Sequence, residues 1–240
     1  MGLRGLGAGL VLSEGKHIQG SGKPYEGDKG CIIEGYRVFT RTEVSLQGTL
    51  SGGYQGWPLA ELEFSPVDLR SCIRNVSDFP AEGILFRDIT PLLSDPAAFR
   101  YVADELCTHA SRRDAAVIVG IESRGFLFGA PLADRMKLPF VPVRKPGKLP
   151  AAHISIEYAL EYGESQLDIH EDAFRLATRA YIVDDLLATG GTAVAAAKLV
   201  ELAGGEVVGF GFVVELNEFG GREKLGSYDA LSLVQFPTQE

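Results

Sequence analysis

Residues 181–201 read YIVDDLLATGGTAVAAAKLVE. An unbroken apolar run ends in two adjacent carboxylates, Asp184 and Asp185. A short loop from Leu186 to Gly191 follows, and a helix is predicted from near Thr192 to a glycine stop at 204–205. Strand, loop and helix in that order are the unit from which parallel sheets are built. A strand that is apolar without alternation belongs inside such a sheet, covered on both faces.

The same alternation extends outward on both sides. Upstream, PAAFRYVADELCTHAS (96–111) has helical spacing, AAVIVG (115–120) is a buried-strand run, FLFGAPLADRMK (126–137) a helix and LPFVPVRK (138–145) a strand. Downstream, EVVGFGFVVEL (206–216) and SYDALSLVQF (227–236) read as strands, and VDLRSCIRNV (67–76) reads as a short amphipathic helix. The fold expected is α/β, doubly wound, with a mainly parallel sheet and helices on both faces. Residues 1–66 are glycine-rich and carry no sustained period, so a poorly ordered extension is expected there, with the folded domain at 67–240.

The loop before the second helix suits an anion. A helix start offers unpaired N–H groups and positive partial charge. Gly190 and Gly191 bring no Cβ between backbone and ligand, and Thr189 and Thr192 add hydroxyls, with Thr192 also placed to cap the helix. No GK[ST] ending follows, which disfavours nucleotide triphosphate hydrolysis. Two carboxylates beside a phosphate cradle fit a sugar phosphate instead: the aspartates accept from ribose hydroxyls while the loop holds the 5-phosphate.

Composition narrows the partners. Of 240 residues 45% are hydrophobic and 23% charged, which is ordinary for a globular chain, and the net charge of -9 argues against a general nucleic-acid binder. Cys31, Cys72 and Cys107 form no CxxC pair, which suits a reducing compartment, and His17, His109, His153 and His170 lack metal-ligand spacing. No apolar run approaches the ~18 residues that span a bilayer, and neither a signal peptide nor N-myristoylation is expected. A cytoplasmic protein is the expectation.

VDDLLATGGT (183–192) resembles the phosphoribosyl-pyrophosphate signature of the type I phosphoribosyltransferases, in the form used by the adenine enzymes. Three further segments resemble that branch in the expected order, and together the likeness covers about residues 68–236. FPAEGILFRDITPLL (79–93) stands where the family forms its base pocket, which implies adenine between Leu85 and Leu186, beside Phe86, with the backbone of Arg87 on the ring edge. VGIESRGFLFG (119–129) resembles the pyrophosphate loop, with Ser123 and Arg124 on the diphosphate and a non-proline cis peptide at Glu122–Ser123. VRKPGKLPAAHISIEYALEYGESQLDIH (143–170) resembles the lid, with Arg144, Lys145 and Lys148 near the pyrophosphate and Glu161 and Tyr162 as the catalytic-loop pair.

The resemblance implies a purine-salvage enzyme joining adenine to phosphoribosyl pyrophosphate (PRPP), giving AMP and pyrophosphate. It implies Mg2+ held mainly by PRPP and water, near Asp184 rather than by a protein cage, and a homodimer. Asp184 and Asp185 would orient the ribose, Arg124 would offset leaving-group charge, Ala188, Thr189, Gly190, Gly191 and Thr192 would hold the phosphate, and Glu161 would manage the purine proton. Two alternatives are a transferase for another purine and a non-catalytic PRPP-binding regulator; the latter needs a DNA-binding segment, for which residues 1–66 have the length but not the helical period. The chain departs from the family in having RLATRA (175–180) where a Pro-Gly turn commonly precedes the signature strand.

Overall fold

The computed structural model describes residues 67–159 and 164–237. The extension expected at residues 1–66, with Cys31 and His17, lies outside the described residues, as do Glu161 and Tyr162.

In chain order the elements are β1 (Arg74–Ser77), β2 (Leu85–Asp88), α1 (Thr90–Ser94), α2 (Pro96–Ser111), β3 (Val117–Ile121), α3 (Gly125–Met136), β4 (Phe140–Val143), β5 (His153–Ala159) and β6 (Glu164–His170). β7 (Thr178–Leu187), α4 (Gly191–Leu202), β8 (Gly205–Leu216), a 3-10 turn (Asn217–Phe219), α5 (Gly221–Leu225) and β9 (Ala230–Phe236) complete it. Five strands form the central sheet in the order β4-β3-β7-β8-β9, every neighbouring pair parallel. The chain leaves β3 in one direction to make β4, then returns to lay β7 on the other side of β3. That reversal leaves a crevice at the carboxyl ends of β3 and β7, where open α/β sheets bind ligands.

Alternation along β7 supplies both faces of the core. Tyr181 and Val183 pack with Val102 and Leu106 of α2 and Phe128 and Leu132 of α3. Ala180 and Ile182 face the other way, toward Ala193, Ala196, Ala197 and Val200 of α4 and toward Leu167 and Ile169 of β6. Alanines on α4 keep that helix close to the sheet. α2 starts where the Asp95 carboxylate accepts from the N–H groups of Ala97 and Ala98, a cap worth about 1 kcal/mol. The expected doubly wound α/β architecture is present, and no helix among the described residues is long and apolar enough to cross a membrane.

One expectation needs correction. Residues 67–76 are not a helix: a turn over 69–73 runs into β1, which pairs antiparallel with β2. The apolar spacing of Leu69 and Ile73 still buries both in the core, through a turn closed by i→i+3 bonds, and no helix follows because the backbone of 74–77 finds its partners in 85–88. Most of the described part of the stretch that resembles the lid forms strands. β5 and β6 form an antiparallel hairpin whose Ile154, Ile156, Tyr158, Leu167 and Ile169 pack against the α4 side of the sheet.

Candidate active site

The crevice is built by three loops that follow strands, and one close approach sets its floor. At the start of α3, a Cβ on Gly125 would lie 2.6 Å from the Val183 carbonyl oxygen and 3.1 Å from Asp184 Oδ1. Only glycine lets the first turn of α3 rest on the end of β7, so Ser123 and Arg124 arrive beside Asp184 and Asp185. The peptide between Glu122 and Ser123 is cis, as the resemblance implied.

β7 runs two residues further than expected, into the stretch read as loop from Leu186. It continues through Leu187 because Asp184, Leu186 and Leu187 stay in register with Phe212, Val214 and Glu215 of β8. The loop proper is therefore Ala188–Gly190. Asp184 Oδ1 accepts from the Asp185 N–H at 2.9 Å, and Asp185 Oδ2 sits 3.0 Å from Arg124 Nε. Both carboxyls are pushed above the ordinary carboxylate range. For Asp184 burial is the chief cause and the charge of Asp185 the next; for Asp185 burial outweighs the opposing pull of Arg124.

The phosphate-loop residues take other positions than expected in two respects. Gly190 has φ +75, and its missing Cβ points at the backbone of Gly221, 2.8 Å from that carbonyl oxygen, instead of opening the mouth of the loop. Thr192 does not cap α4. Gly190 occupies the N-cap position, and the Thr192 hydroxyl donates to the Tyr158 hydroxyl of β5 at 3.3 Å, which ties the hairpin to the loop. Thr189 and Thr192 are half-buried, and the first N–H groups of α4 face the same end of the sheet as Asp184 and Asp185.

On the base-pocket side, Leu85 is 40% exposed, and the Phe86 ring lies 5.6 Å below the Arg124 guanidinium carbon. Arg124 therefore joins the expected base pocket to the aspartate pair. Arg87 donates to Asn75 Oδ1 at 2.5 Å and stacks 3.9 Å from the centre of the Phe236 ring, and Leu186 packs into the core beneath. Lys145 and Lys148 stand at an exposed turn. Arg144 is committed: its Nε donates to Glu122 at 2.8 Å, its backbone pairs with Asp168, and the Lys145 N–H also donates to Glu122 at 2.9 Å. These bonds, that from Arg144 first, hold Glu122 below the ordinary carboxylate range. Sequence reasoning missed Glu122 as the anchor of Arg144 and Lys145, and Tyr158 as the tie between β5 and the start of α4. The alternation of ISIEYA was the available signal for Tyr158, whereas nothing local marked Glu122.

This fold, with an aspartate pair and an N–H cradle at the switch point, defines a phosphoribosyltransferase, and the phosphoribosyl transferase domain family matches residues 99–232. Adenine phosphoribosyltransferase of Gloeobacter violaceus is 61% identical over 171 residues, covering 71% of this chain and 100% of that protein. That of Nostoc punctiforme is 54% identical over 173 residues, covering 71% and 100%. The crystal structure of adenine phosphoribosyltransferase from Thermoanaerobacter pseudethanolicus superposes with TM-score 0.68 at 53% identity, covering 70% of this chain and 98% of that one. The Saccharomyces cerevisiae structure, complexed with adenine and an imino-altritol bisphosphate, gives TM-score 0.66 at 39% identity, covering 69% and 96%. The chain belongs to the adenine phosphoribosyltransferases.

Proposed function

We propose that this chain transfers the 5-phosphoribosyl group of PRPP to adenine, giving AMP and pyrophosphate in purine salvage. The observation that carries the reading is the adjacent pair of half-buried Asp184 and buried Asp185, directly before the helix-start cradle, with Asp185 against Arg124. Its ionisation is opposed until hydroxyls or a cation reach it, so the pair is poised for a ligand.

In this reading Asp184 and Asp185 accept hydrogen bonds from the ribose hydroxyls. The N–H groups of Ala188, Thr189, Gly190, Gly191 and Thr192, with the two threonine hydroxyls, take the 5-phosphate. Leu85 and Leu186 flank the adenine ring beside Phe86, and the backbone of Arg87 meets its edge. A backbone N–H donating to N1 and a C=O accepting from the 6-amino group reject 6-oxo purines, whose pattern is reversed. The bond from ribose C1 to the pyrophosphate oxygen breaks as adenine N9 attacks, so no protein nucleophile is needed and catalysis is positioning plus electrostatics. Ser123, Arg124, Lys145 and Lys148 offset the charge left on pyrophosphate, with Arg144 holding the lid. Glu161, in the LEYG run with Tyr162, manages the purine proton.

No group of three or more His, Cys, Asp or Glu able to hold a metal occurs among the described residues. Two adjacent carboxylates suit a hard cation that arrives on PRPP oxygens and keeps its waters, so Asp184 and Asp185 would meet Mg2+ in that form. When bound, Mg2+ supplies charge neutralisation to the leaving pyrophosphate. We place the enzyme in the cytoplasm as a homodimer, on the family likeness and the free thiols of Cys72 and Cys107.

The test is incubation with PRPP, Mg2+ and each of adenine, hypoxanthine, guanine and xanthine, following nucleotide formation. AMP from adenine alone is expected. Turnover of a 6-oxo purine would overturn the pocket assignment, and tight PRPP binding without turnover would favour a regulator.

A further inference from the structure

α5 presses on the phosphate loop backbone to backbone. A Cβ on Gly221 would overlap the Ala188 carbonyl oxygen and come 2.9 Å from Leu187 Cδ1, while one on Gly190 would come 2.8 Å from the Gly221 carbonyl oxygen. At both glycines the nearest atom is backbone of the other segment, so a shift of α5 must be felt in the loop. α5 is only five residues long and cannot hold itself in place.

Arg222, the residue after Gly221, holds it. Arg222 Nε donates to Glu215 Oε1 at 3.1 Å, Nη2 to Glu215 Oε2 and, at 2.8 Å, to Ser232 Oγ, and Nη1 to the Ala230 carbonyl. Glu215 is 4% exposed and lies opposite Leu187 in the β7–β8 register, at the root of the loop. Burial alone would raise its carboxyl, but the bonds from Arg222 and Ser232 outweigh burial and hold it below the ordinary range. A buried ion pair is a poor source of stability, since desolvation cancels much of the attraction, but a bidentate fork fixes orientation tightly.

We propose that Glu215 and Arg222 are positioning residues for the 5-phosphate: the pair pins α5 so that Gly221 sets the backbone of Ala188–Gly190, and the N–H groups converge on one anion. The proposal rests on the reading of Ala188–Thr192 as the phosphate cradle. Neither side chain touches the sugar phosphate, and neither belongs to the base pocket. Loosening the pair therefore weakens phosphate affinity and leaves adenine affinity alone.

The experiment compares the wild type with Glu215→Gln, Arg222→Lys and Arg222→Met, measuring Kd for ribose 5-phosphate and for adenine, KM for PRPP and for adenine, and Tm. Arg222→Met is expected to raise the ribose 5-phosphate Kd and the PRPP KM on the order of tenfold, with adenine values within about twofold. Arg222→Lys keeps the charge but not the fork, and should lose an intermediate amount. Should the Met variant fail to fold, the Lys and Gln variants carry the comparison. Folded variants with unchanged phosphate affinity would overturn the proposal, as would an equal loss of adenine affinity, which marks general loosening. A wild type that does not bind ribose 5-phosphate would overturn the cradle reading and the positioning role with it; a wild type that binds, beside indifferent variants, would overturn only the positioning role.

Discussion

Asp184 carries a carboxyl where burial and the charge of Asp185 both oppose ionisation. A folded-state pKa above the unfolded one stabilises the fold at acid pH, below the ordinary carboxylate range, and that contribution is lost as pH rises through the raised value. Asp184→Asn removes the cost of ionising at neutral pH. Its Tm is therefore expected to exceed that of the wild type at pH 7–8 and to fall less steeply with pH, as scanning calorimetry across pH would show. The double variant Asp184→Asn/Asp185→Asn should lose activity by on the order of 100-fold or more while keeping its fold. Near-normal turnover would remove the pair from the mechanism.

The elements around the site differ in how far they can be read locally. β7 and the phosphate loop were legible because an apolar run, two carboxylates and paired glycines lie within a dozen residues. The turn before β7 was also visible as a departure, since RLATRA lacks the Pro-Gly common in the family. There Leu176 is 91% exposed and Ala177 sits at φ +57, a left-handed conformation costly for a residue with a Cβ. Ala177→Gly should raise stability by about 0.5–1 kcal/mol after the entropy cost of glycine, a Tm gain of about 2–4 °C per kcal/mol. A denaturant midpoint unchanged or lowered would show that the turn is unstrained. Other parts were illegible for a physical reason. β1 cannot be told from a helix turn until its partner β2 is known, and the Glu122–Arg144 tie joins residues on different strand ends. Glu215 and Arg222 belong to the same class, because both read as surface charges until β9 and α5 close around them.

On the scale of the molecule, α2 and the sheet are joined by a buried polar contact. Tyr181 donates its proton to the Phe210 carbonyl at 3.0 Å, so His109 Nδ1, 2.7 Å away, is the donor to the Tyr181 oxygen. Burial first, then the charges of Arg113, Arg112 and Arg222, lower the His109 pKa from 6.5 to about 4, although Asp229 lies 3.7 Å from Nε2. Asp229 is already taken by Arg113, so the depression stands. The unfolded chain protonates this histidine first, and stability is lost as pH falls from about 6.5 to about 4. His109→Asn should flatten that limb of a Tm-against-pH curve; an unchanged slope would place the acid sensitivity elsewhere. The hairpin proposed to carry the base pocket is moored to the edge strand β9, where Arg87 of the hairpin and Arg70 before it both stack on Phe236, at 3.9 and 4.6 Å. Phe236→Ala is expected to raise the adenine KM several-fold and leave the PRPP KM near its wild-type value, the reverse of the Arg222 series.

That mooring sets an order on synthesis. Arg70 also donates to the carbonyl of Gln235, a contact spanning 165 residues. During translation the hairpin of β1 and β2 emerges before any strand of the central sheet, yet the aromatic ring that clamps it is made after all the others. The same strand, β9, brings the Ala230 carbonyl and Ser232 to Arg222, so the clamp on the hairpin and the last partners of α5 arrive together. A ribosome-bound chain stalled before β9 therefore lacks both the ring that moors the hairpin and two of the groups that hold Arg222, and under the proposed roles it would bind neither ribose 5-phosphate nor adenine as the finished protein does.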